Sequence, residues 1–128
     1  MAAQLPNPPG GAHLRTIAMP RDANPGGHIF GGWTLGQMDL AGASLAAERS
    51  EGRVATVAVE AMRFLRPVDV GDEVSCFCTL EREGDTSMVV RIETWARSRG
   101  EGRRPEKVTE GVFTYVALDE EGKPRAFL

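Results

Sequence analysis

The stretch Phe30–Ser50, FGGWTLGQMDLAGASLAAERS, decides the fold, because it is the one long segment whose apolar positions follow a helical period. Its interior is rich in Ala and Leu, it opens at Gly31–Gly32, and it closes at Glu51–Gly52, where a glycine supplies the left-handed C-terminal cap. At about 100° per residue Gln37, Ser44 and Glu48 share a polar arc, while Leu35, Gly42 and Ala46 lie opposite with Met38 beside them. Asp39 falls in the middle of that apolar side.

After this helix the period changes to two. Arg53–Leu65, Glu73–Glu83, Thr86–Ser98 and Lys107–Leu118 are alternating segments rich in β-branched residues, and Leu14–Met19 (LRTIAM), stopped by Pro20, reads as a shorter strand before the helix. The connections Pro67–Asp72 (PVDVGD) and Glu83–Asp85 (EGD) are short and turn-forming, which predicts an antiparallel meander of the strands they join; Gly100–Glu106 (GEGRRPE) is a longer polar loop. The order strand, loop, helix, four strands predicts an α+β fold, a five-stranded antiparallel sheet around one central helix, over residues 13–128. Residues 1–12, rich in Pro, Gly, Asn and Gln, read as a flexible arm. One helix cannot cover both faces of such a sheet, and Val59, Val89, Trp95, Phe113 and Tyr115 suggest apolar positions on more than one of them. Self-association that pairs strand edges is the economical solution, so a dimer at least is expected.

Composition narrows the function. The 128 residues carry 41% hydrophobic and 26% charged side chains, the make-up of one globular domain. Fifteen Lys and Arg against 18 Asp and Glu give a net charge of −3, which argues against a nucleic-acid partner. The first residues form no signal peptide, and no apolar run approaches a membrane span, so a cytoplasmic protein with no membrane contact is expected. Cys76 and Cys78 stand two apart on one strand face, poorly placed for a disulfide and read as core packing. His13 and His28 offer no zinc spacing, so no metal is expected.

The chemistry concentrates in Asn24–Asp39, NPGGHIFGGWTLGQMD. Gly31 and Gly32 strip side chains from a helix start whose N–H groups are unpaired and partly positive, a combination that polarises a carbonyl or binds an anion; the same glycines also permit close helix–sheet packing. Asp39 is a poor helix former on an apolar face, where burial would make its carboxylate a stronger base; a purely structural hydrogen bond or a wet dimer seam would equally justify it. Asn24 offers an amide to orient water or a carbonyl, although Asn followed by Pro is also a common turn. His28 stands beside the site as donor or base, or is simply solvated. No Gly-x-Ser-x-Gly elbow is present, so a serine acyl-enzyme lacks motif support.

The spacing Asn24-x-x-Gly27-x-x-Phe30-Gly31-Gly32, then six residues to Asp39, resembles the signature of hotdog-fold acyl-CoA thioesterases, specifically their YciA-like branch. The resemblance extends through Leu14–Pro20, Gly52–Val59 (GRVATVAV), Phe64–Gly71 (FLRPVDVG), Thr86–Ser87 and Asp119–Phe127 (DEEGKPRAF), nearly the whole chain after the arm. It implies the hotdog fold and hydrolysis of an acyl-CoA thioester to free acid and CoA, with no separate cofactor. Asp39 would be the catalytic carboxylate, as general base or as nucleophile, and Asn24 its partner from the opposite subunit of a dimer; three dimers would form a hexamer. Gly31 and Gly32 would polarise the thioester carbonyl. CoA would contact the backbone of Val57, Ala58 and Val59 and the turn at Thr86 and Ser87. Its phosphates need cations, drawn from Arg63, Arg66, Arg97, Arg99, Arg103, Arg104 and Lys107. Met38, Met62 and Met88 suit an adaptable acyl tunnel, or plain core. The competing readings are a non-catalytic acyl-CoA sensor or scaffold, against which the presence of both Asn24 and Asp39 argues, and a hydroxyacyl-thioester dehydratase, which would need His28 paired with an acidic residue.

Overall fold

Leu14–Ile17 (β1), Val54–Phe64 (β2), Glu73–Glu83 (β3), Ser87–Arg97 (β4) and Glu106–Ala117 (β5) form one antiparallel sheet, and the single long helix is Gly31–Ser50 (α1). The computed structural model describes residues 5–6, 11–100 and 102–128, so the expected arm, residues 1–12, lies mostly outside the described residues. The strand order β1-β3-β4-β5-β2 wraps the helix, which packs against all five strands. This is the helix-in-sheet architecture expected from the order of periods.

The meander runs through different strands from those expected. Consecutive hairpins join β3, β4 and β5, whereas β2 pairs with β5 at the far edge and does not touch β3 as a neighbour. The segment Pro67–Asp72 is a crossover, not a turn, because its backbone bonds are taken elsewhere. Leu65 N–H donates to Val108 O at 2.8 Å, Ile29 N–H to Val68 O at 2.8 Å, and Ala18 and Asp72 are joined through Ala18 N–H to Asp72 O at 3.0 Å. The chain thus leaves β2, passes the start of α1 and enters β3 beside β1.

Helix α1 buries Thr34, Met38, Ala41, Gly42, Ala46 and Ser50 against Cys76, Cys78, Met88, Val90, Ile92, Phe113 and Tyr115. Ser44 and Glu48 face solvent, as the polar arc predicts. Asp39 does not sit in the middle of the buried face: it is half-buried at the edge, next to exposed Leu40. The cap also differs from expectation. Glu51, with φ of 56°, takes the left-handed conformation at a cost of about 1 kcal/mol, while a Cβ at Gly52 would overlap the Arg125 guanidinium that donates to Ser50 O at 2.6 Å. The left-handed conformation thus belongs to Glu51, and Gly52 gives the Arg125 guanidinium room to reach Ser50 O.

Strand β2 carries two irregularities, one at Val57 between Thr56 and Ala58 and one between Glu60 and Arg63, where Ala61 has φ of 52°. Its outer edge is unpaired, and Val57, Val59 and Phe64 on it are exposed with Phe30 and Leu40 of the helix side, an apolar surface of the kind that associates. Among the described residues no helix is long and apolar enough to cross a membrane.

Cys76 and Cys78 are free and buried, as expected of core thiols. Burial pushes Cys76 up to about 11 and Cys78 up to about 12, so both stay neutral in the folded chain. The unfolded chain releases these protons near the ordinary value of 9.0, so this stabilisation is complete below pH 9 and is lost as pH rises toward 11. Two outcomes are expected: no reaction of the native thiols with a disulfide reagent at pH 8 until denaturant is added, and a urea midpoint that falls between pH 8.5 and 10.5 less steeply in the Cys76→Ala/Cys78→Ala variant than in the parent.

Candidate active site

The start of α1 is a bare anion-facing end. Phe30 is the N-cap and makes no side-chain cap bond; Trp33 and Thr34 are the first N–H groups to find Phe30 O, at 3.1 and 3.4 Å, which leaves the N–H groups of Gly31 and Gly32 without helical partners. The two glycines play different parts. A Cβ at Gly31 would meet the Phe64 ring at 3.1 Å, whereas a Cβ at Gly32 would meet nothing within 4 Å. Gly31 therefore serves packing, and Gly32 keeps an approach open. A groove of about 350 Å3 beside Gly31 is lined by Thr34, Phe64, Arg66, Val68 and Thr109. It places the Arg66 side chain at the positive end of the helix, with only a 3.9 Å contact to Glu106 to hold it.

Two turns further along α1, the Asp39 carboxylate is held from two strands. Thr56 Oγ1 donates to Asp39 Oδ1 at 2.6 Å, and Tyr115 Oη stands 3.0 Å from both Asp39 Oδ1 and Asp39 O. Both donors converge on one carboxylate oxygen. Oδ2 accepts no hydrogen bond among the described residues, so it is the lone-pair site left for water or substrate. Burial, then the charge of Asp39 and the hydrogen bond to it, push the Tyr115 phenol well above its ordinary range, so it remains a donor at any working pH. Sequence reasoning missed the roles of Thr56 and Tyr115. The available signal for Thr56 is a hydroxyl inside the apolar run Val54–Val59, but its link to Asp39 exists only through the pairing of Thr56 with Tyr115 across β2 and β5.

Asn24 is not brought to Asp39 within one chain. It closes a tight loop in which its N–H donates to His28 O at 2.6 Å, Gly27 N–H donates to its carbonyl at 3.0 Å, and its Oδ1 accepts from His28 N–H at 3.1 Å. With Oδ1 engaged, Nδ2 is left without a hydrogen-bond partner among the described residues. His28 is paired with Asp69, Nδ1 to Oδ1 at 2.8 Å, both more than half exposed, so the pair lies in water rather than in a closed pocket.

The other predicted contacts scatter. Val57, Ala58 and Val59 lie on the unpaired edge next to Thr56, with Val57 thrown outward by the bulge. Thr86 and Ser87 lie two strands away, where Thr86 O accepts from Ala117 N–H at 2.8 Å and Ser87 pairs with Val116. Of the cations, Lys107 is engaged by Glu93 and Glu110, Arg97 by Glu73 at 2.7 Å, and Arg99 reaches Gly71 O; Arg63, Arg103 and Arg104 make no ion pair among the described residues. No group of three or more His, Cys, Asp or Glu is gathered for a metal among the described residues.

Comparison with known proteins bears on this geometry. Residues 26–103 match the thioesterase superfamily. The chain is 53% identical over 122 residues to acyl-CoA thioester hydrolase YciA of Escherichia coli, covering 93% of this chain and 92% of that protein. The hexameric thioesterase y2039 of Yersinia pestis superposes with a TM-score of 0.88 at 48% identity, covering 97% of this chain and 98% of that one. An acyl-CoA hydrolase of Staphylococcus aureus, solved with butyryl coenzyme A and coenzyme A, superposes at 0.81 with 26% identity, covering 88% of this chain and 68% of that one. That hydrolase has also been solved with an asparagine, an aspartate or a threonine replaced by alanine.

Asp39→Asn keeps an oxygen that can accept from Thr56 and Tyr115. Its thermal midpoint is expected within about 4 °C of the parent, equivalent to about 1 kcal/mol in a domain of this size. A fall of ten degrees in a melting curve would show that the carboxylate charge is needed for the fold.

Proposed function

This chain belongs to the thioesterase superfamily, and from that premise we propose that it hydrolyses acyl-CoA thioesters to free carboxylic acid and CoA, with Asp39 as the catalytic carboxylate. The observation that carries the reading is the Asp39 carboxylate itself, fixed through Oδ1 by Thr56 and Tyr115 and open at Oδ2 beside the unpaired edge of β2. Asparagine, aspartate and threonine are the residues replaced in the Staphylococcus aureus hydrolase, and their mutual spacing along that chain equals the spacing of Asn24, Asp39 and Thr56 here.

In this mechanism water bound at Asp39 Oδ2 gives up its proton to the carboxylate as its oxygen attacks the thioester carbonyl carbon. The carbon–sulfur bond then breaks, and the thiolate of CoA leaves and takes up a proton. The developing oxyanion is stabilised by the free N–H of Gly32 and by Asn24 Nδ2 of a second subunit, donors that need no reorganisation as charge appears. Direct attack by Asp39, giving a mixed anhydride, is the alternative route through the same atom, and a single turnover in 18O water distinguishes them by label left in the protein. Neither route calls for a cofactor.

Asn24 acts across the subunit boundary because no contact joins it to Asp39 within the chain. The exposed apolar residues Phe30 and Phe64 at the start of α1, and Leu40, Val57 and Val59 further along α1 and β2, support a dimer joined over this side. The hexameric state of the Yersinia pestis thioesterase supports three such dimers. Arg66 at the helix start is the cation best placed for a CoA phosphate, and Val57–Val59 offer backbone groups further back along β2 beside Thr56. The two free thiols suit a reducing compartment, the cytoplasm. The His28–Asp69 pair meets the formal requirement of a dehydratase, but its exposure to water on both partners leaves it without the closed pocket that reaction needs.

Thiol release from a panel of short, long and aryl acyl-CoAs tests the reading. Parent protein should turn over, and Asp39→Asn should lose between about a hundredfold and ten-thousandfold in kcat, the range of a general base. CoA binding without turnover of any thioester would instead identify a sensor. The shared site has its own test. Asp39→Asn and Asn24→Ala chains, each inactive, should regain about a quarter of parental activity when unfolded together and reassembled, since half the dimers are mixed and each mixed dimer holds one intact site. No recovery would place both residues in one subunit.

A further inference from the structure

We propose that Tyr115 is a positioning residue for the Asp39 carboxylate, seated against the helix through the missing side chain of Gly42, so that the reactive oxygen of Asp39 is chosen by the core of the fold. The inference rests on the reading of Asp39 as the catalytic carboxylate.

The geometry is specific. Tyr115 is fully buried on β5, its ring stacked near Phe113 with centroids 6.4 Å apart, and its hydroxyl leaves the core only to meet Asp39 Oδ1 and Asp39 O, each at 3.0 Å. One hydroxyl proton thus ties the carboxylate to the backbone of its own residue and sets the side-chain torsion. Thr56, exposed on β2, supplies the second donor to the same oxygen. A phenol could not reach this point past an ordinary helix residue. A Cβ at Gly42 would overlap Tyr115 Oη and stand 2.7 Å from Ile92 Cδ1. Gly42 lies one turn beyond Asp39, where glycine weakens a helix by about 1 kcal/mol relative to alanine, so the fold carries that cost for the sake of the contact.

The groups facing the pair are few. Thr56 comes from β2, Cys78 from β3 is near enough to act on the phenol, Ile92 stands on β4, and on α1 the residues one turn away from Asp39 are Leu35, Gly36, Gly42 and Ala43. Among the described residues these two hydroxyls are the side-chain donors that reach the carboxylate.

The test compares parent, Tyr115→Phe, Gly42→Ala and Ile92→Val as assembled proteins, with butyryl-CoA as substrate. In Tyr115→Phe, kcat should fall between about tenfold and a hundredfold, the worth of a hydrogen bond to a charged group. KM should stay within about twofold, because the phenol holds the carboxylate and not the substrate. Gly42→Ala, which keeps the phenol but displaces it, should lower kcat with KM kept in the same way, and it carries the test alone if Tyr115→Phe does not assemble. Ile92→Val, a core truncation beside Gly42 with no polar contact, should lower the melting temperature and leave kcat within about twofold of the parent. A Tyr115→Phe or Gly42→Ala enzyme with parental kcat, or an Ile92→Val enzyme that loses kcat equally, would reduce Tyr115 to core packing. A parent without turnover on any thioester would overturn the functional reading instead, and the positioning role with it.

Discussion

At one point the helix lies against β5 with no side chain between them, and much of the molecule is arranged around that contact. At Gly42 the backbone of α1 comes within reach of the Tyr115 phenol, which a methyl group would block. The hydroxyl satisfies itself on Asp39, and through Asp39 it is linked to Thr56 on the last strand of the sheet. A polar group buried without partners would cost several kcal/mol, and the Tyr115 hydroxyl avoids that cost by bonding to Asp39. The same contact that seats the helix also holds a carboxylate ready at the edge of the core.

The crossover from β2 to β3 gives that carboxylate its setting. Because Pro67–Asp72 is bound by Ile29 and Ala18, β2 is carried to the far side of β5 and ends the sheet there. An edge strand with exposed Val57, Val59 and Phe64 is a liability in water, and the bulge at Val57 twists it where Thr56 reaches the helix. The half-buried state of Asp39 follows from its place beside that edge. One chain supplies the Asp39 carboxylate and the two hydroxyls that hold it, beside a strand edge that exposes Val57 and Val59.

The start of the helix works by subtraction. Gly31 admits the Phe64 ring, Gly32 admits nothing from its own chain, and both leave N–H groups unspent. Asn24, one loop earlier, spends its side-chain oxygen on His28 N–H and keeps its amide N–H groups free of partners among the described residues. These donors lie about two helical turns from Asp39 in the same chain, so they meet a carboxylate at one reacting carbon only if a second chain supplies one of the two.

Periodicity was enough to read the helix, all five strands and the antiparallel class, since side-chain alternation and the 3.6-residue repeat are local properties. The Asn24–Asp39 spacing was legible for the same reason: those residues sit in one continuous loop and helix. What no local pattern contains is strand order. A six-residue connection such as Pro67–Asp72 is compatible with a hairpin or a crossover, and long-range backbone bonds choose between them. The support of Asp39 was hidden behind that choice, because Thr56 and Tyr115 lie 17 and 76 residues away from it and meet it only once β2 has paired with β5. The sequence by itself determined which residues could carry the chemistry; the tertiary structure alone decided which oxygen of Asp39 is held and which is free, because hydrogen bonds between distant segments are set by the register of the sheet.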